Sequence, residues 1–245
     1  MKPLILQRLN MDTTWHCAIG SNKFLIDPWL VGSEVDYFGW FNTQWHRTTP
    51  TPCSDLPPFD SVLITQKYPD HCHPETLQTL QPRRIVAPDH MVKRIQSLVP
   101  ESWVIGVKAG GSGVLHDDVR IHLLGSHRRR DPIYDAFLLD DGHRSVLIAP
   151  HGLDVTDEHA AVVAAASPLK ILLAPFDQYR LPVWLGGLIK PGIPGLHKLV
   201  EYFSPEVVIR THDEDKHARG LVSQLANVTA FAAKDLDVHA WLACR

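Results

Sequence analysis

The feature of this 245-residue chain that most constrains its fold is a plan that occurs twice: strands first, then helix and strand in alternation. In the first half, apolar bursts within residues 13–30 are split by Gly20-Ser21-Asn22-Lys23, which predicts a β-hairpin. The β-branched run Ser61-Val62-Leu63-Ile64 predicts a buried strand. Pro74 to Leu80 reads as a helix, Arg84 to Ala87 as a strand and His90 to Leu98 as a second helix. In the second half, residues 103–107, 114–123, 135–140 and 144–149 predict four successive strands, with turns at Gly110-Gly111-Ser112-Gly113 and Asp140-Asp141-Gly142-His143. Glu158 to Ala166 then reads as a helix, Lys170 to Ala174 as a strand, and Leu181 to Gly195 as a Gly/Pro-rich loop. A helix near Leu196 to Phe203, a strand at Val207 to Arg210 and a final helix from His217 follow. Residues 29–59, rich in Pro, Gly, Thr and aromatics without periodicity, read as a long functional loop. Strands must bury an apolar face, so two such halves predict an α/β (α+β) chain. The expected architecture is a four-layer αββα sandwich of two mixed β-sheets flanked by helices, in one domain over residues 1–245.

Composition excludes several alternatives. A formal charge of −3 gives no electrostatic basis for binding nucleic acid or an anionic membrane. The four cysteines, Cys17, Cys53, Cys72 and Cys244, form no C-x-x-C pair and imply neither a zinc ribbon nor a disulfide framework. The N-terminal apolar stretch is too short for a signal peptide, and no run of about 18 apolar residues occurs, so a soluble cytoplasmic protein is expected. The Gly-rich residues 109–113 match no dinucleotide or phosphate-loop fingerprint.

Histidine is the outlier, with 15 copies. Directly after the strand at residues 61–64 comes Thr65-Gln66-Lys67-Tyr68-Pro69-Asp70-His71-Cys72-His73, with three potential metal ligands, Asp70, His71 and His73, in four residues. The plainer reading makes Asp70 the cap of the helix from Pro74. His73 reads as a ligand, a support for a ligand or a residue of the helix start. His16, in the opening strand, reads as structural.

Together these residues resemble the metallo-β-lactamase superfamily. Leu25-Ile26-Asp27-Pro28 ends an early hairpin, and a following strand leads to the place of the family's H-x-H-x-D-H motif, here Gln66-Lys67-Tyr68-Pro69-Asp70-His71. Later landmarks keep the family order: His127 after a strand, His151 in Pro150-His151-Gly152 where a bridging aspartate is usual, and His212 after the strand at Val207 to Arg210. The resemblance implies that one metal site, left with Gln66, Tyr68 and His127, is empty. It also implies that the other survives as Asp70, His71, His151 and His212.

The expected activity is that of a metal-dependent hydrolase with one divalent transition metal, zinc first, with iron, manganese or nickel as alternatives. Asp70 and His127 are the expected catalytic groups, His127 being readable also as a ligand or a substrate contact, and equally as a structural residue. Gln66, Tyr68, Trp40 and Trp184 are candidate substrate contacts, the two tryptophans lying on aromatic and apolar loops that could roof the site. A small-molecule substrate is the expected partner, and the apolar 181–195 loop is compatible with a homodimer contact. Two rival readings stand beside this one: a catalytically degenerate binding protein and a mononuclear-iron oxidoreductase.

Overall fold

The structure, a computed structural model, describes residues 2–115, 118–126, 133–213 and 215–231. His127, the Arg128 to Arg130 run and Cys244 lie outside the described residues. The first half runs β1 (Ile5–Arg8), β2 (Trp15–Ile19), β3 (Asn22–Ile26), β4 (Glu34–Asp36), β5 (Asn42–His46), β6 (Ser61–Leu63), α1 (Pro74–Leu80), β7 (Arg84–Pro88), α2 (Val92–Leu98) and β8 (Trp103–Val107). The second half opens with β9 (Ser112–Leu115), β10 (Val119–Leu124), β11 (Ala136–Asp140), β12 (Ser145–Ile148), α3 (Asp157–Ala165) and β13 (Leu169–Ala174). It continues with β14 (Gln178–Arg180), β15 (Leu188–Pro191), α4 (Gly192–Phe203), β16 (Val207–Arg210), β17 (Lys216–Arg219), α5 (Leu221–Leu225) and β18 (Asn227–Thr229).

The repeated plan becomes two six-stranded sheets of matching design, in the orders β1-β2-β3-β6-β7-β8 and β16-β13-β12-β11-β10-β9. Within each, the strands that open the half pair antiparallel and the later ones pair parallel. Connection length explains this. A two-residue turn at Gly20-Ser21, with Gly20 at φ 58°, suffices between β2 and β3, whereas parallel neighbours need a crossover, supplied by α1, α2, α3 and α4 and, between β3 and β6, by the long segment that contains β4 and β5.

Side chains alternate across each strand, and so they sort into three cores. Phe24, Ile26, Phe137, Leu139, Val146 and Ile148 meet between the sheets. Leu25, Val62 and Ile85 pack with Leu77 of α1 and Ile95 of α2, while Leu138, Leu147 and Leu172 pack with Leu196 and Leu199 of α4. The expected four layers are therefore present. Both faces of each sheet are covered, which is why the central strands are apolar throughout rather than alternating.

Four local expectations are corrected. Residues 29–59 contain β4 and β5, and the single strand expected at 114–123 is two strands, β9 and β10. The 181–195 loop contains β15, and α4 begins within it at Gly192. The helix expected from His217 gives way to strand β17, and α5 starts only at Leu221. Strands β4, β5 and β17 form a small sheet of their own, antiparallel throughout, and their polar sequences carry no apolar alternation; pairing across the fold overrides local pattern there. No helix among the described residues is long and apolar enough to cross a membrane.

Candidate metal centre

Side chains converge where parallel strands end, the edge at which open α/β sheets present ligand sites. Asp70 and His71 follow β6, in a tight turn closed by the amides of His71 and Cys72 donating to Tyr68 O at 3.0 and 2.8 Å. His151 follows β12: Ala149 N still donates to Leu173 O at 2.9 Å, and the chain then reverses through Gly152 at φ 85°. His212 follows β16 with φ 57°, a left-handed conformation unusual for a non-glycine residue. Its backbone is held from both sides, since its N–H donates to Asp12 O at 2.9 Å and Lys190 Nζ donates to its carbonyl at 2.8 Å.

One donor atom from each of Asp70, His71, His151 and His212 lies within 4.8 Å of every other, and all four residues are buried or nearly so. His151 Nε2 is 3.2 Å from His71 Nε2 and 2.8 Å from His212 Nε2. Asp70 closes the group, with Oδ1 3.8 Å from His71 Nε2 and Oδ2 3.5 Å from His212 Nε2. Behind two of the imidazoles stand carboxylates: Asp27 Oδ2 accepts from His71 Nδ1 at 2.9 Å, and Asp12 Oδ1 accepts from His212 Nδ1 at 2.5 Å. Thr65 fixes Asp27 through its amide at 2.7 Å and its hydroxyl at 2.6 Å.

That outer pair of carboxylates fits the group to a metal. A proton on each Nδ1 leaves the Nε2 lone pairs of His71 and His212 pointing inward, and His151 Nε2 can donate a single hydrogen to them. Lone pairs this close repel unless a cation lies among them, and carboxylate-backed imidazoles with one carboxylate are an ordinary ligand set for a divalent transition metal.

The electrostatics agree. Burial opposes ionisation of Asp70, but His71, Lys216 and His212 together outweigh it and hold its carboxyl at about 2. His151 and His212 are pushed well below the usual imidazole value, first by burial and then by neighbouring positive groups, so both remain neutral donors. Burial also lowers His71, but Asp70 and Asp27 overcome it and raise the ring.

Above the centre opens a cleft of about 370 Å³, lined by Asp70, His151 and His212 at its base. Tyr68 lines it, its ring 6.5 Å from that of His151, and Trp184 lines it at the rim. Trp40 instead stands outside, 67% exposed and stacked on Phe38. Gln66 is buried away from the cleft, its amide donating to the carbonyls of Ile133 at 2.9 Å and Asp135 at 3.1 Å. His73 does not join the cluster: it caps α1, Nδ1 accepting from Thr76 N at 3.2 Å. Cys72 turns into the core under α1, and His16 contacts Pro58 O at 3.2 Å.

Sequence reading did not assign Asp12, Lys190 or Lys216 to the site, nor give Asp27 a role. Asp27 had a signal, an acid ending an apolar strand before proline. Asp12 had none, because its position depends on a loop in which Asn10 Oδ1 accepts from the amides of Asp12 and Thr14, both at 2.9 Å. Lys216 Nζ sits 3.0 Å from Asp12 Oδ2 and 3.6 Å from Asp70 Oδ2.

This architecture has solved counterparts. A metallo-β-lactamase fold protein from Bacillus subtilis superposes with a TM-score of 0.56 at 12% identity, over 86% of this chain and 87% of that one. The chain has the metallo-β-lactamase fold. An isothiocyanate hydrolase from Delia radicum gut bacteria matches this metallo-β-lactamase-fold chain with a TM-score of 0.65 at 19% identity, covering 85% of this chain and 84% of that chain. A possible metal-dependent hydrolase from Veillonella parvula matches with a TM-score of 0.65 at 15% identity, covering 86% of each chain. No family profile matches the sequence, and no curated protein matches it by sequence.

Proposed function

We propose that this metallo-β-lactamase-fold protein is a hydrolase of a small molecule. It uses one divalent transition metal, zinc first, held by Asp70, His71, His151 and His212. The observation that carries the reading is the convergence of three imidazole Nε2 atoms and one carboxylate on a single point, two of the imidazoles being backed by carboxylates. Two further facts support a single metal. Gln66, at the first motif position, has committed its amide to backbone carbonyls, and Tyr68, at the second, offers a phenol stacked beside His151.

A divalent metal in such a site supplies Lewis acidity, lowering the pKa of water and polarising an electrophile. The chain's own residues do the rest. Asp27 and Asp12 hold the Nδ1 protons and so fix both tautomers, and Asp70 stays ionised at neutral pH. The cleft lies over Asp70, His151 and His212, where a substrate would sit. His127, outside the described residues, is retained as the proposed acid/base group. Three imidazoles with one carboxylate also suit a single iron, and so an oxidoreductase is the second reading.

Elemental analysis of protein purified without added metal tests both. One transition metal per chain, lost in His71→Ala and His151→Ala, is expected; a folded, metal-free protein indifferent to chelators overturns the proposal. Zinc-loaded protein assayed on small esters, amides and isothiocyanates, the last taken from the Delia gut bacterial relative, tests hydrolysis. Turnover requiring iron and oxygen moves the assignment to the second reading.

A further inference from the structure

The cleft above the metal centre has two unlike walls, and the register of the small sheet explains one of them. Glu34 pairs with Gln44 and Asp36 with Asn42 across β4 and β5, while Lys216 pairs with His46 across β17 and β5. Directly paired residues and their neighbours two along share a face. One face of this sheet therefore presents Glu34, Asp36, Asn42, Gln44 and Lys216 together, and all but Glu34 line the cleft. The opposite wall comes from the chain around β15: Leu181, Trp184, Leu185 and Ile189. Tyr37 and Phe41 stand at the edge of the polar wall, their rings 5.6 Å apart and edge to face.

The polar wall is over-supplied with acid. Glu34 is 1% exposed, and among the described residues neither of its carboxyl oxygens has a hydrogen-bond partner. Burying such a group unpaired is costly, and natural structures rarely do so without a reason. Asp36 has one hydrogen-bonding neighbour, Asn42 Nδ2 at 3.1 Å. The two lysines of the cleft point their charge at its base, Lys216 between Asp12 and Asp70 and Lys190 onto the His212 carbonyl. Around the centre, among the described residues, the carboxyl groups of Asp12, Asp27, Glu34, Asp36 and Asp70 outnumber the lysines Lys190 and Lys216.

Burial and the neighbouring carboxyls act on two of these acids together. Burial, then Asp70 and Asp36, push Glu34 up to about 9, and burial, then Asp70, push Asp36 up to about 6. A cation held at Asp36 in the cleft would offset the repulsion among them.

We infer that the substrate carries a cationic amine, seated against Asp36 beside Tyr37 and Phe41, with a compact apolar body lying along Leu181, Trp184, Leu185 and Ile189. Aromatic faces and carboxylates together are a common means of holding an ammonium group. A cleft of about 370 Å³ is at the small end of ligand sites, which limits that body to roughly one ring and a short chain. The word substrate rests on the hydrolase reading; the amine preference does not.

Calorimetric titration of the whole protein with 2-phenylethylamine, 2-phenylethanol and phenylacetate, zinc-loaded and zinc-stripped, tests the inference. The amine is expected to bind about tenfold tighter than either analogue in both forms. Asp36→Asn should abolish that preference and Glu34→Gln should weaken it, while 2-phenylethanol binding stays unchanged in both. Equal binding of the three probes, tighter binding of phenylacetate, or a preference that survives both substitutions overturns it. So does a second zinc per chain that disappears in the two variants, since the acid wall would then be a metal site. If zinc stoichiometry fails but the amine preference persists in the stripped protein, the hydrolase reading falls and this one stands.

Discussion

Asp27 Oδ2 accepts the Nδ1 proton of His71 at 2.9 Å, and through that bond an acid at the end of β3 decides which nitrogen of a ring after β6 faces the metal centre. Asp27 itself has φ 43°, a left-handed conformation that asparagine tolerates. Asp27→Asn should therefore keep the backbone while removing the charge behind His71. Metal affinity, measured by competition with a chelator, is expected to fall about 10- to 100-fold with little change in folding. Unchanged affinity would mean that His71 is not a ligand.

Metal removal should destabilise the fold. The three imidazoles and Asp70 belong to loops after β6, β12 and β16, strands of both large sheets, so an ion bound to all four ties the sheets together at one edge. With free metal about 1,000-fold above its Kd, linkage gives roughly 4 kcal/mol. Thermal unfolding with zinc and after chelation should differ by several degrees, and His212→Ala should erase the difference.

Gly152 lets the chain reverse directly after His151. At φ 85°, a Cβ there would lie 2.9 Å from Pro191 Cγ, so alanine meets both an unfavourable backbone conformation and a ring with little room to yield. Gly152→Ala is expected to cost about 1–3 kcal/mol in urea unfolding and to weaken metal binding by shifting His151. A silent substitution would mean that the reversal is freely deformable.

Asp135 provides a pH signature away from the proposed metal ligands. Burial pushes its carboxyl up to about 6, only partly offset by the Ser126 N–H, which donates to Oδ1 at 2.7 Å. A raised acid binds its proton more tightly when folded. Its stabilising contribution is therefore full below the unfolded value near 3.9, declines as pH rises to about 6 and is gone above it. Asp135→Asn cannot lose a proton, so its stability relative to the parent should improve by about 2 kcal/mol between pH 4 and pH 7 in urea titrations. A pH-independent difference would show that Asp135 titrates normally.

How much of this was legible depends on the range of the interaction. Strand Val207–Arg210 and helix Pro74–Leu80 have the bounds that apolar runs and a proline at the helix start predict. Asp70, His71, His151 and His212 could be picked out because each directly follows such a strand, and the resemblance supplied their order. β4, β5 and β17 could not, since three short polar segments become strands only by pairing with one another. The same sheet brings Lys216 beside Asp12, which is 204 residues away in sequence.

The sequence alone therefore determined the doubled αββα layout, because hydrophobic periodicity is a property of neighbouring residues, while the family resemblance singled out the four donors. Only the tertiary structure decided which groups stand behind those donors, that Gln66 faces backbone carbonyls, that His73 caps a helix, and that the cleft has one acidic and one apolar wall. Those outcomes depend on hydrogen bonds and charges meeting across loops far apart in the chain, and no local pattern records them.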